Sequence, residues 1–333
     1  MNQNRPDNRH TNEAQNRQGS LPWWVHVIVL AAIAVVIGIA AFRLMVWNRG
    51  HEVDVSDIDE AEYDVEVSDN IFLLSSEDLA GKKEDGVQTI LFLGDDLLTF
   101  RLSEEEESLA QLIGDRLDAE VVDCGIAGTT VAQRDAVPDG SYPQDLLCFR
   151  QMAQAIATNE FEPQQRAASA LGDETAMQAL DRLAQVDFDA LDMLIVAYDA
   201  SDYLNQRIGM NPSDDEDPIT YRGAMVGGLH RIRAQYPHIR IVVMSFPFCY
   251  AYGADGSVVS GYLQNFGHGR ISDYWLLLYD ACEQCGASFL DNLYGTINES
   301  ESDQYLVDIV RVNEKCRRAI ADHLARALKE GGQ

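Results

Sequence analysis

The chain predicts an α/β fold, a doubly wound parallel sheet flanked by helices and preceded by one transmembrane helix. Three observations predict it. Short apolar runs at residues 90–93, 191–197 and 239–244 end in glycine, acidic or polar turns, as strands buried on both faces do. Stretches with helical spacing lie between these runs, and that alternation implies parallel crossovers. Residues 21–42 are almost purely apolar, a run of about 22, long enough to cross a bilayer as a helix.

Residues 1–20, rich in Asn, Gln and Arg and without apolar periodicity, predict disorder. Residues 21–47 form the predicted anchor. Trp23, Trp24 and Trp47 flank it as interfacial aromatics do, and the run is too long for the apolar region of a cleaved signal peptide. Arg5, Arg9 and Arg17 precede it and Arg43 and Arg49 follow, a margin of one charge. With the usual arrangement of an N-terminal anchor, this places a single-pass chain in the cell membrane with its C-terminal domain outside the cytoplasm. Residues 48–86 read as an acidic linker, in which residues 52–69 carry nine acids and no Lys or Arg. Val53, Val55, Val65 and Val67 alternate there and could supply a short edge strand.

The globular domain is expected over residues 87–330. Its first strand, ending at Gly94, is followed by Ser103-x-x-Glu106, which has the form of a capping box for a helix carrying Leu109, Leu112, Ile113 and Leu117. A second strand covers residues 121–124. Helices are predicted over residues 144–158 and 163–185, then a third strand at 191–197. A helix over residues 221–236, a fourth strand at 239–244, a helix over 271–285 and a fifth strand at 287–290 follow. Asn313 caps the last helix.

The bulk numbers bound the function. A length of 333 residues with 46% hydrophobic content supports a substantial core. The formal charge of −29, without a basic patch, argues against a nucleic-acid partner. The six cysteines show no zinc spacing, since Cys282-x-x-Cys285 has no second pair, and they read mainly as small core residues. No metal and no cofactor is expected.

The acidic pair Asp95–Asp96 stands at the carboxyl end of the first strand, where open α/β sheets place ligands. Three further stretches belong with it: Ile126-Ala127-Gly128-Thr129-Thr130, Asp199-Ala200-Ser201-Asp202 and Asp308-Ile309-Val310-Arg311. Together with Gly94-Asp95-Asp96-Leu97, and in this order, they resemble the motifs of the SGNH/GDSL hydrolases. These are flavodoxin-like α/β esterases, lipases and carbohydrate deacetylases. The resemblance covers roughly residues 87–328. It extends to the Gram-positive type with a long helical insertion between the second and third strands. It implies that Asp96 occupies the nucleophilic serine position and Gly128 the oxyanion glycine. Ser201 falls on the oxyanion asparagine, Asp308 on the triad aspartate and Arg311 on the histidine.

The chemistry of these residues departs from that template. An arginine stays protonated and offers no lone pair, so Arg311 cannot act as a base. A fixed charge on Asp96 opposes the oxyanion that Gly128 would stabilise. Opposite charges at facing positions instead predict a bidentate Asp96–Arg311 ion pair, with Asp308 accepting from the same guanidinium. This favours a catalytically degenerate domain, not an enzyme, that binds a cell-envelope glycan or protein. The alternative is an active acyl esterase or carbohydrate deacetylase with an unconventional site, using Ser201 or Thr129 with His268. A divalent cation held by Asp95, Asp96, Asp199, Asp202 and Asp308 is a third reading, less favoured than ordinary turn-capping roles. A response-regulator receiver is disfavoured, because Asn292 and Leu293, not a lysine, follow the fifth strand.

Overall fold

A computed structural model describes residues 67–138 and 140–331, with isolated positions between Trp23 and Gly38. The predicted tail, most of the predicted anchor and the acidic residues up to 66 lie outside the described residues. Among the described residues no helix is long and apolar enough to cross a membrane.

Five parallel strands form the sheet: β1 (Thr89–Gly94), β2 (Glu120–Gly125), β3 (Met193–Ala197), β4 (Arg240–Met244) and β7 (Ser288–Leu290), in the order β2-β1-β3-β4-β7. Ile90, Leu91, Phe92 and Leu93 of β1 are buried, which is why the strand reads as an unbroken apolar run. The order reverses at β1. Right-handed crossovers therefore send the β1–β2 helix and the later helices to opposite faces. The crevice between the carboxyl ends of β1 and β3 is the switch point.

The register places Gly94 beside Gly125 of β2 and Ala197 of β3. A Cβ on Gly94 would lie 2.0 Å from the Ala197 carbonyl oxygen, so only glycine lets the strand ends close this tightly. A short helix α1 (Ser76–Leu79) precedes β1, and another, α2 (Asp96–Thr99), follows it directly. The helix between β1 and β2 is α3 (Leu109–Leu117). Its cap is Ser108, paired reciprocally with Gln111, and not Ser103. Ser103 and Glu106 form a turn, and Glu106 instead bonds to Arg317 (Nη2–Oε2 2.6 Å).

The insertion holds a 3₁₀ turn (Pro143–Leu147), α4 (Phe149–Thr158), α5 (Glu162–Leu171) and α6 (Glu174–Leu183). The single helix expected over 163–185 is two. Gly172 takes a left-handed conformation at φ +66°, and Asp173 caps α6 through the Thr175 and Ala176 N–H groups. After β3 come α7 (Ser201–Leu204) and α8 (Tyr221–Gln235), and α8 packs against α4 and against α9 (Ile271–Cys285). A hairpin of β5 (Tyr250–Tyr252) and β6 (Val258–Ser260), not foreseen from the sequence, precedes α9. The fold closes with α10 (Asn292–Gly295), a 3₁₀ turn (Glu299–Gln304) and α11 (Glu314–Gly331), which pairs with α3.

Among the described residues, part of the stretch expected as linker packs on the globular domain. Residues 67–86 are docked, not free linker. Asn70 bridges Phe289 of β7, and Asp69 Oδ1 accepts from the Asp291 N–H at 2.9 Å. Asp69 Oδ2 lies 2.8 Å from His323 Nε2 on α11. Lys82 pairs with Asp192 at 2.7 Å. The edge contact thus falls on Asn70, while Val67 stays exposed. An acidic composition suggested solvation, but Asp69 finds partners just past β7 and on α11.

Candidate functional site

The turn after β1 is built by Asp95. It is buried, and its carboxyl accepts from the Leu97 N–H at 3.0 Å, opening α2. It also accepts from the Asp199 N–H at 3.0 and 3.1 Å, which ties the β1 end to the β3 end. Burial, with the Asp199 charge beside it, raises the Asp95 pKa well above the carboxylate range. Asp199 is also raised by burial, while the Ser201 hydroxyl and N–H hold its charged form. Burial thus disfavours the charged form of both members of the pair.

Asp202 does a similar task one turn later. Its carboxylate accepts from the N–H groups of Val131 (2.7 Å) and Ala132 (3.0 Å), fixing the glycine turn after β2 to α7. Burial pushes it up to about 6. Gly128 of that turn sits at φ +70°, in the left-handed region that favours glycine.

The two remaining groups meet across the crevice. Asp96 Oδ2 accepts from the Gly128 N–H at 2.7 Å, and Asp96 Oδ1 accepts from Arg311 Nε at 3.2 Å. Arg311 Nη1 lies 3.6 Å from Asp308 Oδ2, and its guanidinium covers the Phe100 ring at 5.0 Å. Asp308 Oδ1 accepts from the N–H groups of Val310 (2.9 Å) and Arg311 (2.8 Å), so it shapes the turn that carries its partner. The ion pair expected from the sequence is present, but as a single Nε bond and not a bidentate fork. The reason is Gly128, which takes the second carboxylate oxygen. The site thus gathers Asp96, Gly128, Asp308 and Arg311. Ser201 stands apart from them in its contacts, with its N–H donating to Asp199 Oδ1 at 2.7 Å and its hydroxyl bonded to the same oxygen.

Among the described residues no histidine joins them. His230 bonds to Glu216, His238 to the Phe188 carbonyl and His323 to Asp69. His268 is exposed and makes no hydrogen bond or ion pair among the described residues. Thr129 is buried, its hydroxyl donating to the Ile126 carbonyl at 2.8 Å. All six cysteines are unpaired and buried, and burial pushes the thiols of Cys124, Cys148, Cys285 and Cys316 up to about 12. None of these is poised as a nucleophile. Among the described residues no group of three or more His, Cys, Asp or Glu is arranged to hold a metal ion. The sequence reading missed the Phe100 ring under Arg311, while Asp95 and Asp202 take the turn-capping roles expected of them. Phe100 directly follows α2, and no local pattern announces a cation–π partner.

No family model matches the chain, and no curated protein matches it. Solved structures do. A protein from Lactobacillus plantarum is 17% identical, covering 73% of this chain and 97% of its own, at a TM-score of 0.50. Another structure reaches 0.52 at 16% identity, over 74% of this chain and 99% of its own. A possible lipase from Chitinophaga pinensis matches at 13% identity over 73% and 98%, with a TM-score of 0.48. At such identities the likeness bears on fold. The chain shares with the first two an α/β fold around a parallel sheet, and its candidate site lies at the carboxyl ends of the strands.

Proposed function

We propose that this chain is a catalytically degenerate SGNH-hydrolase-like domain that binds a cell-envelope glycan or protein without cleaving it. It is held at the cell membrane by its N-terminal apolar segment, outside the cytoplasm. The observation that carries the reading is the position of Asp96, clasped between the Gly128 N–H and Arg311 Nε. Ester hydrolysis on this scaffold needs a neutral nucleophile, a base to take its proton and an unoccupied donor for the oxyanion. Here the nucleophile position is charged, the base position is permanently protonated and the donor is already engaged. The apolar run at residues 21–42 and its flanking tryptophans support the anchor.

The test is p-nitrophenyl acetate turnover by the full-length chain and by Asp96→Ala. Both are expected to match the uncatalysed background. Turnover by the native chain that disappears in the Asp96 variant would overturn the reading.

A further inference from the structure

We propose that the cavity at the amino-terminal edge of the sheet is a binding site for a monoanionic carboxylate with an apolar body. Met193 and Arg240, the first residues of β3 and β4, line it together with Leu73, Leu79, Lys82 and Asp192. It therefore lies at the opposite end of the strands from Asp96 and does not depend on the reading given to that site. Its volume of about 360 Å³ falls within the roughly 300–1,000 Å³ of small-molecule sites.

The charge is what calls for a ligand. Lys82 Nζ lies 2.7 Å from Asp192 Oδ1, and Asp192 Oδ2 accepts from the Thr89 N–H at 2.8 Å, so that carboxylate is already satisfied. The Arg240 side chain makes no hydrogen bond or ion pair among the described residues, and its Nε and Nη2 are buried without a partner. These two nitrogens form the side-on edge of the guanidinium, the edge that receives a carboxylate through two parallel bonds. A buried donor without an acceptor is costly, and a charged one more so. Burial also pulls the Arg240 pKa below its ordinary value. In a chain of formal charge −29, this cation has no carboxylate bonded to it.

Lys82 is paired with Asp192 and, at 3.4 Å, with Glu84, so the single charge left on the lining is that of Arg240; it matches a ligand with one negative charge, and a phosphate dianion would overcompensate it. The walls supply the second requirement. Leu73 is 61% exposed and Leu79 is 46% exposed, so the lining leaves apolar surface in water that an aliphatic body would cover.

Isothermal titration calorimetry of the full-length chain in phosphatidylcholine nanodiscs, corrected with empty nanodiscs, tests this with sodium octanoate as probe. One equivalent of octanoate is expected to bind. Octanamide, which keeps the shape without the charge, and acetate, which keeps the charge without the body, should each bind at least about tenfold more weakly. Arg240→Met should weaken octanoate by at least about tenfold while leaving the melting temperature at or above that of the native chain. Should that variant fail to fold, Leu79→Ser, at a half-exposed position, should still weaken octanoate several-fold. Equal binding of octanoate and octanamide, phosphate binding as tight as octanoate, undiminished binding by folded Arg240→Met, or no heat beyond that of empty nanodiscs would each overturn the proposal.

Discussion

The Gly128 N–H, the donor that would meet a developing oxyanion on the proposed reading, already donates to Asp96 Oδ2 at 2.7 Å. On the proposed reading Asp96 and Arg311 are what stands against hydrolytic chemistry here, while Gly128 and the Asp308 turn provide a backbone frame for it. Exchanging the pair for serine and histidine should therefore confer activity. Asp96→Ser combined with Arg311→His is expected to raise p-nitrophenyl acetate hydrolysis at least about tenfold over the native chain, with either single substitution staying at background. A silent but folded double variant would mean that more than the triad has been lost. The buried acids make a separate prediction. Asp202 holds its proton up to about 6, against an ordinary 3.8 in the unfolded chain, so its contribution is fully present below 3.8 and is lost as pH rises through 6. The shift corresponds to on the order of 2–3 kcal/mol at most. Asp95 and Asp199 shift in the same direction. Glu106 and Glu216, lowered chiefly by hydrogen bonds from Arg317 and His230, lose their contribution only at more acidic pH. The urea midpoint is therefore expected to be higher at pH 5 than at pH 7.5, and Asp202→Asn should narrow that difference.

At the scale of elements, the ends of β1, β2 and β3 converge on glycine and alanine, and this closeness brings Asp95 and Asp199 into contact. Gly94→Ala would drive a methyl group into the Ala197 carbonyl. A destabilisation of about 3 kcal/mol or more is expected, measurable by denaturant unfolding. β1, β3 and β4 were legible because burial on both faces leaves unbroken apolar runs, and three of the four site stretches were legible because each follows a sheet strand. The Asp96–Arg311 pairing could be read from opposite charges at facing positions. What escaped the sequence was decided by competition between neighbours. Ser103 and Ser108 both carry capping signals, and only Gln111 reciprocates. Gly172 ends a helix whose apolar spacing runs on past it. The β5–β6 hairpin is three residues per strand, too short for alternation to register.

At the scale of the molecule, fully buried Arg317 knots the loop after β1 to α11. Its guanidinium donates to the carbonyls of Phe100 (3.1 Å), Val312 (3.3 Å) and Glu107 (3.2 Å), and to Glu106 Oε2 at 2.6 Å. Because Phe100 also supports Arg311, this knot holds the rim of the candidate site. Arg317→Ala is expected to cost about 3–5 kcal/mol in an unfolding titration, since it leaves Glu106 and three carbonyls without their donor. The docking of residues 67–72 along β7 has a consequence for biogenesis. Asp69 and His323 lie 254 positions apart, so a ribosome releases one long before the other exists. Until translation nears its end, the early segment has no surface to clasp. A nascent chain stalled before α11 would keep that acidic strap loose, exposed to proteases that spare the finished protein.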